Sequence, residues 1–268
     1  MKKIYLLLVL FISFSCKQKE AIKKITYNNP AKKMIAKTVN KVGNYEQLKK
    51  LKNVEFNYTF YQPSNNKKDI SVERYVFDGE ISWGKYTTHQ VFVFPKNKEI
   101  ATQYFSEKNN KAWVKLGDQF MKDSSTLASV KFIRKANFYW FTMMQKLLDE
   151  GLTYKLLPDR KVDNIDYKII KVGFEKNIGE VQDDFILYLN PETHLVDQFL
   201  FTVKGSKIPQ PLLMKSSYST VKGISIMTKR DIYMADWDGN IKGDILFQQV
   251  SENIKFNNNF DVTMFEEK

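Results

Sequence analysis

The sequence predicts a mainly β protein with a few helices, an α+β fold built on one antiparallel sheet. About ten segments have the two-residue alternation or the β-branched and aromatic composition of strands. Turn signals such as Asp78-Gly79 and Asp238-Gly239 separate them at hairpin spacing. No helices alternate with the strands, as a parallel sheet would require. The 268 residues show no repeat or mid-chain linker, so we expect one domain over residues 31–268.

The first predicted strands form hairpins. Residues 54–60 alternate apolar and polar side chains, which indicates a strand with one buried face. Residues 71–77 and 80–86 flank a tight turn, and residues 104–105 and 112–116 flank another. This half of the chain therefore predicts sequential antiparallel pairing.

The same pattern returns after residue 160. Residues 167–174 predict one strand, and residues 185–189 and 195–203 flank a turn that contains Pro191. Residues 224–235 and 242–250 predict a last long hairpin. Together the two halves predict a single antiparallel sheet.

A helix is predicted over residues 31–42, directly after Pro30. Its apolar side chains recur at helical spacing, and Gly43 stands where a helix ends. The residues on this face are Met34, Ile35, Thr38, Val39 and Val42. A helix with one apolar face must pack on another element, here the sheet.

The N-terminus carries an export signal. A basic head precedes the apolar residues 4–14, a run too short for the roughly 20 residues of a bilayer span. Small residues before Cys16, the one cysteine, resemble a bacterial lipoprotein processing site. We expect a signal peptide over 1–15, lipidation of Cys16, and a membrane-anchored tether over 16–30. The alternative is a buried free cysteine near an ordinary cleavage site.

The net charge of +12 does not indicate nucleic-acid binding. Only four of the 42 basic residues are arginine, the residue preferred for phosphate and base recognition. The spread-out lysines predict a solvated surface with a secondary attraction to anionic lipid headgroups. Residues 17–20 lack an acidic cluster, which favours an outer-membrane lipoprotein of the cell envelope that faces the periplasm.

Residues 126–148 are unusually apolar for a helix. Only Thr142, Gln145 and Lys146 form a narrow polar stripe in its second half, where an ordinary surface helix has a wide one. Such a helix is buried on two sides or covers another apolar surface. Two interpretations stay open: a central helix that fills the core, or a lid that lines an apolar cavity.

The search for catalytic and metal-binding motifs is negative. The sequence contains no nucleophile elbow, no zinc-protease motif and no glycine-rich phosphate loop. His89 and His194 have no partner visible in the sequence, so they are interpreted as ordinary surface residues. Asp183 and Asp184 are interpreted as a solvated turn. We therefore expect no catalytic residue, metal or cofactor, and no enzyme.

These elements resemble the lipoprotein-sorting carrier and receptor superfamily with the LolA/LolB-like fold, and within it a family of outer-membrane lipoproteins. The resemblance rests on the order of weak motifs at residues 188–195, 218–224, 228–230, 254–256 and Phe265. It implies an unclosed antiparallel barrel of about ten or eleven strands with an N-terminal helix and a central helical lid. It also implies that residues 126–148 are the lid over a concavity that holds acyl chains.

The resulting hypothesis is an anchored envelope lipoprotein that binds an acyl chain or an acylated protein in a half-barrel cavity, in lipid or lipoprotein trafficking. The expected cavity residues are Phe138, Phe141, Met143, Met144 and Leu147 from the lid, and Phe56, Tyr58 and Phe60 from the sheet. The alternative is an interaction module with a self-filled barrel and an envelope protein partner. A third hypothesis is a lipid- or glycan-modifying enzyme that uses Asp183 or Asp184.

Overall fold

A computed structural model of the chain describes residues 27–175, 183–204 and 208–267, apart from the side chain of Val262. Within them, one 13-stranded antiparallel sheet forms the body of the protein. Its strands are β1 (Asn53–Gln62), β2 (Lys67–Val76), β3 (Ile81–His89), β4 (Ala101–Ser106), β5 (Lys111–Leu116), β6 (Gln119–Met121), β7 (Leu152–Val162), β8 (Ile165–Phe174), β9 (Phe185–Leu189), β10 (Val196–Phe201), β11 (Leu212–Val221), β12 (Ile224–Ala235) and β13 (Ile241–Phe256).

The sheet consists of two meanders joined at one seam. Strands β1 to β6 pair in sequence, strands β7 to β13 pair in sequence, and β1 pairs with β13 between them. The edge strands β6 and β7 do not pair with each other in the described part of the chain, so the barrel is open. The predicted unclosed antiparallel barrel is confirmed.

The sheet has thirteen strands where the sequence predicted ten or eleven. Two of the additional strands carry weak signals, because β6 has only three residues and β7 contains Pro158. Proline cannot donate to a strand ladder, and it is tolerated in edge strands and at bulges. Strand β7 is an edge strand, and its pairing with β8 shifts register between Leu157 and Arg160.

Two helices precede the sheet. Helix α1 (Pro30–Val42) confirms the prediction, with Ile35, Val39 and Val42 buried on one face. The Asn29 side chain caps its start by accepting a hydrogen bond from the Lys32 backbone N–H at 3.1 Å. Helix α2 (Tyr45–Lys50) is short and begins with a capping box.

Helix α3 (Ser124–Thr142) crosses the concave face of the sheet and continues as a 3₁₀ turn over Met143–Lys146. Its place follows from topology, because it connects β6 to β7 at opposite edges of the sheet. The Asp123 carboxylate caps its start by accepting from the Thr126 backbone N–H at 2.8 Å. This helix is the predicted central lid.

The fully buried ion pair between Arg134 and Glu73 fastens α3 to strand β2. The Arg134 Nη1 atom lies 2.6 Å from Glu73 Oε2, and Nη2 lies 3.3 Å from Oε1. Burial disfavours the charged guanidinium, but Glu73 together with Tyr86 and Tyr75 outweighs burial and raises the pKa of Arg134 above its ordinary value. The Arg134 guanidinium therefore stays charged in the core.

Tyrosine and serine hydroxyls complete this network. Ser71 and Tyr75 donate to the Glu73 carboxylate at 2.6 Å and 3.0 Å, and Arg134 donates to the Tyr86 hydroxyl. Burial and the Glu73 charge raise the pKa of Tyr75, so its hydroxyl remains a neutral donor. The residue at position 84 has to be glycine, because a Cβ atom there would lie 2.2 Å from Arg134 Nη1.

We expect Arg134→Met to lower the free energy of unfolding by about 3–5 kcal/mol, because it leaves the Glu73 carboxylate buried without a positive charge beside it. The double variant Arg134→Met/Glu73→Gln should be more stable than Arg134→Met alone, since the amide still accepts hydrogen bonds and no charge is left. Urea denaturation followed by tryptophan fluorescence measures both differences.

The control is Lys135→Met on the same helix. Lys135 pairs with Glu107 at 3.0 Å, but both side chains are partly exposed. An exposed pair contributes about 0–1 kcal/mol, so this variant should lose no more than that. Equal losses for Lys135→Met and Arg134→Met would contradict the structural role of the buried pair.

A candidate apolar ligand cavity beneath the central helix

A cavity of about 1090 Å³ lies between α3 and the concave face of the sheet. Pockets for small molecules usually measure about 300–1,000 Å³, so this cavity has room for a large ligand. Its apolar wall comes from α3 and from strands of both meanders. The apolar lining residues are Phe60, Phe92, Phe105, Phe132, Ala136, Phe138, Tyr139, Trp140, Phe174, Phe185, Phe201, Val203, Ile208, Leu212, Met214, Ile232 and Phe247.

Strand register brings distant residues together on this wall. Phe201 faces Phe185 across β9–β10 and Leu212 across β10–β11, and Ile232 faces Phe247 across β12–β13. Because side chains alternate along a strand, each inward residue lies next to the inward residue of the neighbouring strand. The pairing therefore builds a continuous apolar surface from residues far apart in sequence.

Aromatic rings hold each other in place along the wall. The Trp140 ring stacks on Phe199 with centroids 6.1 Å apart and meets the Phe201 ring edge-on at 5.3 Å. Phe60 packs against Phe247 at 5.1 Å and against Phe92 at 4.9 Å. Phe92 is nevertheless 54% exposed, so it lies where the cavity meets solvent. These contacts pack the aromatic rings of the wall against one another.

Charged side chains line other parts of the cavity boundary. Lys146 pairs with Glu80 at 2.5 Å, and Lys135 pairs with Glu107 at 3.0 Å. Asp183 also borders the cavity, and burial together with this carboxylate raises the pKa of Tyr139 above its ordinary value. The cavity is therefore apolar in its wall and partly charged at its boundary.

Two of the eight expected cavity residues line this cavity: Phe138 from α3 and Phe60 from β1. The other six lie in the packed core. Phe56, Tyr58 and Phe141 belong to an aromatic cluster in which the Phe141 ring stacks on Phe56 with centroids 4.7 Å apart. The remaining three, Met143, Met144 and Leu147, pack in the main core cluster with α1.

The difference in placement has a physical cause. The apolar surface of α3 and its 3₁₀ extension serves two purposes, and the sequence does not divide it between them. Residues such as Phe141 and Met144 face the sheet and α1, whereas Tyr139 and Trp140 face the cavity. Ligand contact by any of these residues remains a prediction.

Several cavity residues were missed, among them Phe185, Phe201 and Phe247. All three lie in segments predicted as strands, so their inward alternation was a usable signal. In strand β9 this signal is absent, because all five residues are buried and both faces of the strand are covered. Periodicity cannot tell the cavity face from the outer face in such a strand.

The titratable residues singled out by sequence have structural partners. His89 was expected at the surface but is buried, with Nδ1 3.2 Å from the Phe94 carbonyl oxygen and Nε2 2.6 Å from that of Glu99. His194 adopts a left-handed conformation in a turn, with φ of 60°. Asp183 accepts hydrogen bonds from the Thr202 hydroxyl and the Lys204 backbone N–H.

Residues 27–175, 183–204 and 208–267 contain no group of three His, Cys, Asp or Glu side chains that could hold a metal ion. Among the same residues, no helix is long and apolar enough to span a bilayer. Cys16 lies outside the described residues.

Comparison with solved structures shows the fold. The chain is similar to the crystal structure of a DUF1329 family protein from Desulfovibrio piger, with a TM-score of 0.55 and 13% sequence identity over 89% of this chain and 98% of the other. The chain therefore has the open LolA/LolB-like half-barrel fold that the sequence predicted. No family model and no curated protein sequence matches it.

Two further structures are more distantly similar. A putative outer membrane lipoprotein-sorting protein domain from Vibrio parahaemolyticus matches with a TM-score of 0.47 and 5% identity, over 87% of this chain and 94% of the other. The Mycobacterium tuberculosis lipoprotein LppX matches with a TM-score of 0.32 and 10% identity, over 86% and 98%.

We expect Phe141→Asp to lower the free energy of unfolding by more than about 3 kcal/mol, because it removes a packed ring and buries a carboxylate. Phe132→Asp is the matched control on the same helix. Phe132 is 57% exposed and Phe141 is 3% exposed, so the control should change stability by less than about 1 kcal/mol. Circular dichroism during thermal unfolding compares them. Equal stability would place Phe141 outside the core.

Proposed function

We propose that this chain is a lipoprotein of the bacterial cell envelope that binds an acyl chain or another apolar ligand in its half-barrel cavity. The observation that carries the proposal is the 1090 Å³ cavity, whose wall is lined by aromatic and aliphatic side chains. A water-filled cavity of this composition is unfavourable, and an apolar ligand would gain the free energy of leaving water. Each buried methylene group contributes about 0.8 kcal/mol.

The proposed role is non-enzymatic and belongs to lipid or lipoprotein trafficking. Its partners are a lipid or an acylated protein, and the membrane through the lipid on Cys16. In this proposal residues 1–15 are a signal peptide, residues 16–30 are a tether, and the domain lies next to the outer membrane, facing the periplasm. A tether of about 14 residues spans roughly 20 Å, which lets the cavity reach a bilayer surface.

The cavity itself is tested with Ala136→Trp, which adds bulk to its wall from the middle of α3. Ala136 lines the cavity, whereas Ala128 on the same helix is exposed and does not line it, so Ala128→Trp is the matched control. We expect Ala136→Trp to reduce uptake of a fluorescent fatty acid at least about tenfold, and the control to bind like the wild type.

Native mass spectrometry gives an independent measurement. It uses residues 17–268, exported behind a cleavable signal peptide without a lipidated cysteine and purified from the envelope without detergent. A co-purifying lipid that is depleted in Ala136→Trp supports the proposal. A clean protein mass together with no fatty-acid uptake by the folded wild type would contradict it. That outcome would favour the alternative, an interaction module whose partner binds the outer face.

The anchor is tested with Cys16→Ser, which removes the thiol that carries the lipid. We expect the variant to lose the mass of the acyl groups and to leave the membrane fraction on cell fractionation, since two or more acyl chains are needed for stable anchoring. A variant that stays membrane-bound with an unchanged mass would contradict lipidation at Cys16. It would leave the cavity proposal untouched.

A further inference from the structure

Arg230 on β12 is a buried cation without a counter-ion. Its side chain is 3% exposed, and no acidic residue in the described part of the chain pairs with it. Its Nη1 atom donates to the Trp140 backbone carbonyl at 3.0 Å, and its Nε atom is buried without a partner. A buried charge is costly unless it is paired, so this guanidinium has unused capacity for an anion.

The contacts of Arg230 do not supply that anion. The Trp140 carbonyl lies at the C-terminal end of α3, where the helix dipole gives only a partial negative charge. The Tyr58 ring lies 6.0 Å from the guanidinium carbon. Burial lowers the pKa of Arg230 below its ordinary value, in contrast to Arg134, whose pKa the Glu73 carboxylate raises.

Two neighbours of Arg230 in the sheet also have unused polar atoms. Gln249 faces Arg230 across β12–β13, is 6% exposed, lines the cavity, and has no partner for its Oε1 atom. Ser216 faces Arg230 across β11–β12, and its buried hydroxyl has no partner. Ile232, two residues further along β12, is part of the cavity wall. Unused polar atoms therefore lie beside an apolar cavity: Arg230 Nε and the Ser216 hydroxyl can donate, and Gln249 Oε1 can accept.

We propose that the cavity takes an amphipathic ligand whose anionic end group, a carboxylate or a phosphate, binds at Arg230 and Gln249 while its acyl tail lies against the aromatic wall. This inference rests on the proposed function and specifies its ligand class. The guanidinium and the Ser216 hydroxyl have donors without a partner for an oxyanion, and the Gln249 amide can add one through its NH2 group. Phe247, Ile232 and Met214 offer the tail a continuous apolar path from this point.

The test compares two probes of equal chain length, palmitic acid and hexadecanol, in binding to the full folded domain. The two share their apolar surface and differ in the end group. We expect the acid to bind about tenfold to a hundredfold more tightly, the range for hydrogen bonds to a charged group. Palmitoyl lysophosphatidic acid forms a third arm, and its affinity relative to the acid separates a phosphate ligand from a carboxylate ligand.

Two variants test whether Arg230 and Gln249 cause the preference for the acid. Gln249→Glu supplies Arg230 with an internal carboxylate, so it should raise the midpoint of thermal unfolding and abolish the preference for the acid. Arg230→Gln keeps a donor for the Trp140 carbonyl and should also abolish the preference while retaining hexadecanol binding. Gln119→Glu adds the same charge at an exposed residue of β6 and should leave the preference unchanged.

The outcomes separate the two proposals. Equal affinities of the wild type for acid and alcohol would overturn the anion site and leave the apolar cavity intact. Binding of neither probe would instead contradict the proposed function. A preference for the acid that survives both Arg230→Gln and Gln249→Glu would overturn the assignment to these residues. Because the wild-type comparison needs no variant, the test stands even if one of them fails to fold.

Discussion

The buried ion pair between Arg134 and Glu73 fixes how the helix and the sheet meet. Helix α3 has to cross the concave face because it connects strands at opposite edges. This connection alone does not determine the rotation of the helix about its axis or its distance from the sheet. The bidentate contact to β2, supported by Tyr75 and completed by Tyr86, sets both, since a misplaced helix would leave a charge buried without a partner.

The fixed helix divides the apolar interior into a packed part and an open part. On one side Phe141 stacks on Phe56, and the 3₁₀ turn packs under α1. On the other side Trp140 packs against Phe199 and Phe201, and a cavity remains between the helix and strands β8 to β13. The interpretations of a filled core and of a lid are therefore both correct for different faces of the same helix.

Two buried arginines, Arg134 on α3 and Arg230 on β12, differ in what surrounds them. Arg134 has a carboxylate partner and supports the fold. Arg230 has a helix carbonyl and neighbours with unpartnered amide and hydroxyl oxygens, and its neighbours Gln249 and Ile232 line the cavity. The charge of Arg134 has its partner within the protein. For the charge of Arg230 we propose a partner in the ligand. Both residues are arginines, so only their surroundings in the folded protein distinguish their roles.

The sequence by itself determined the α+β class, the hairpin order, helix α1 and the position of the central helix, because alternation, turn residues and caps are local signals. It also determined the candidate anchor Cys16. Tertiary structure decided which aromatic residues face the cavity, that Glu73 receives Arg134, and that Gln249 lies beside Arg230. These facts depend on strand register and helix rotation, which join residues far apart in the chain, so no local pattern records them.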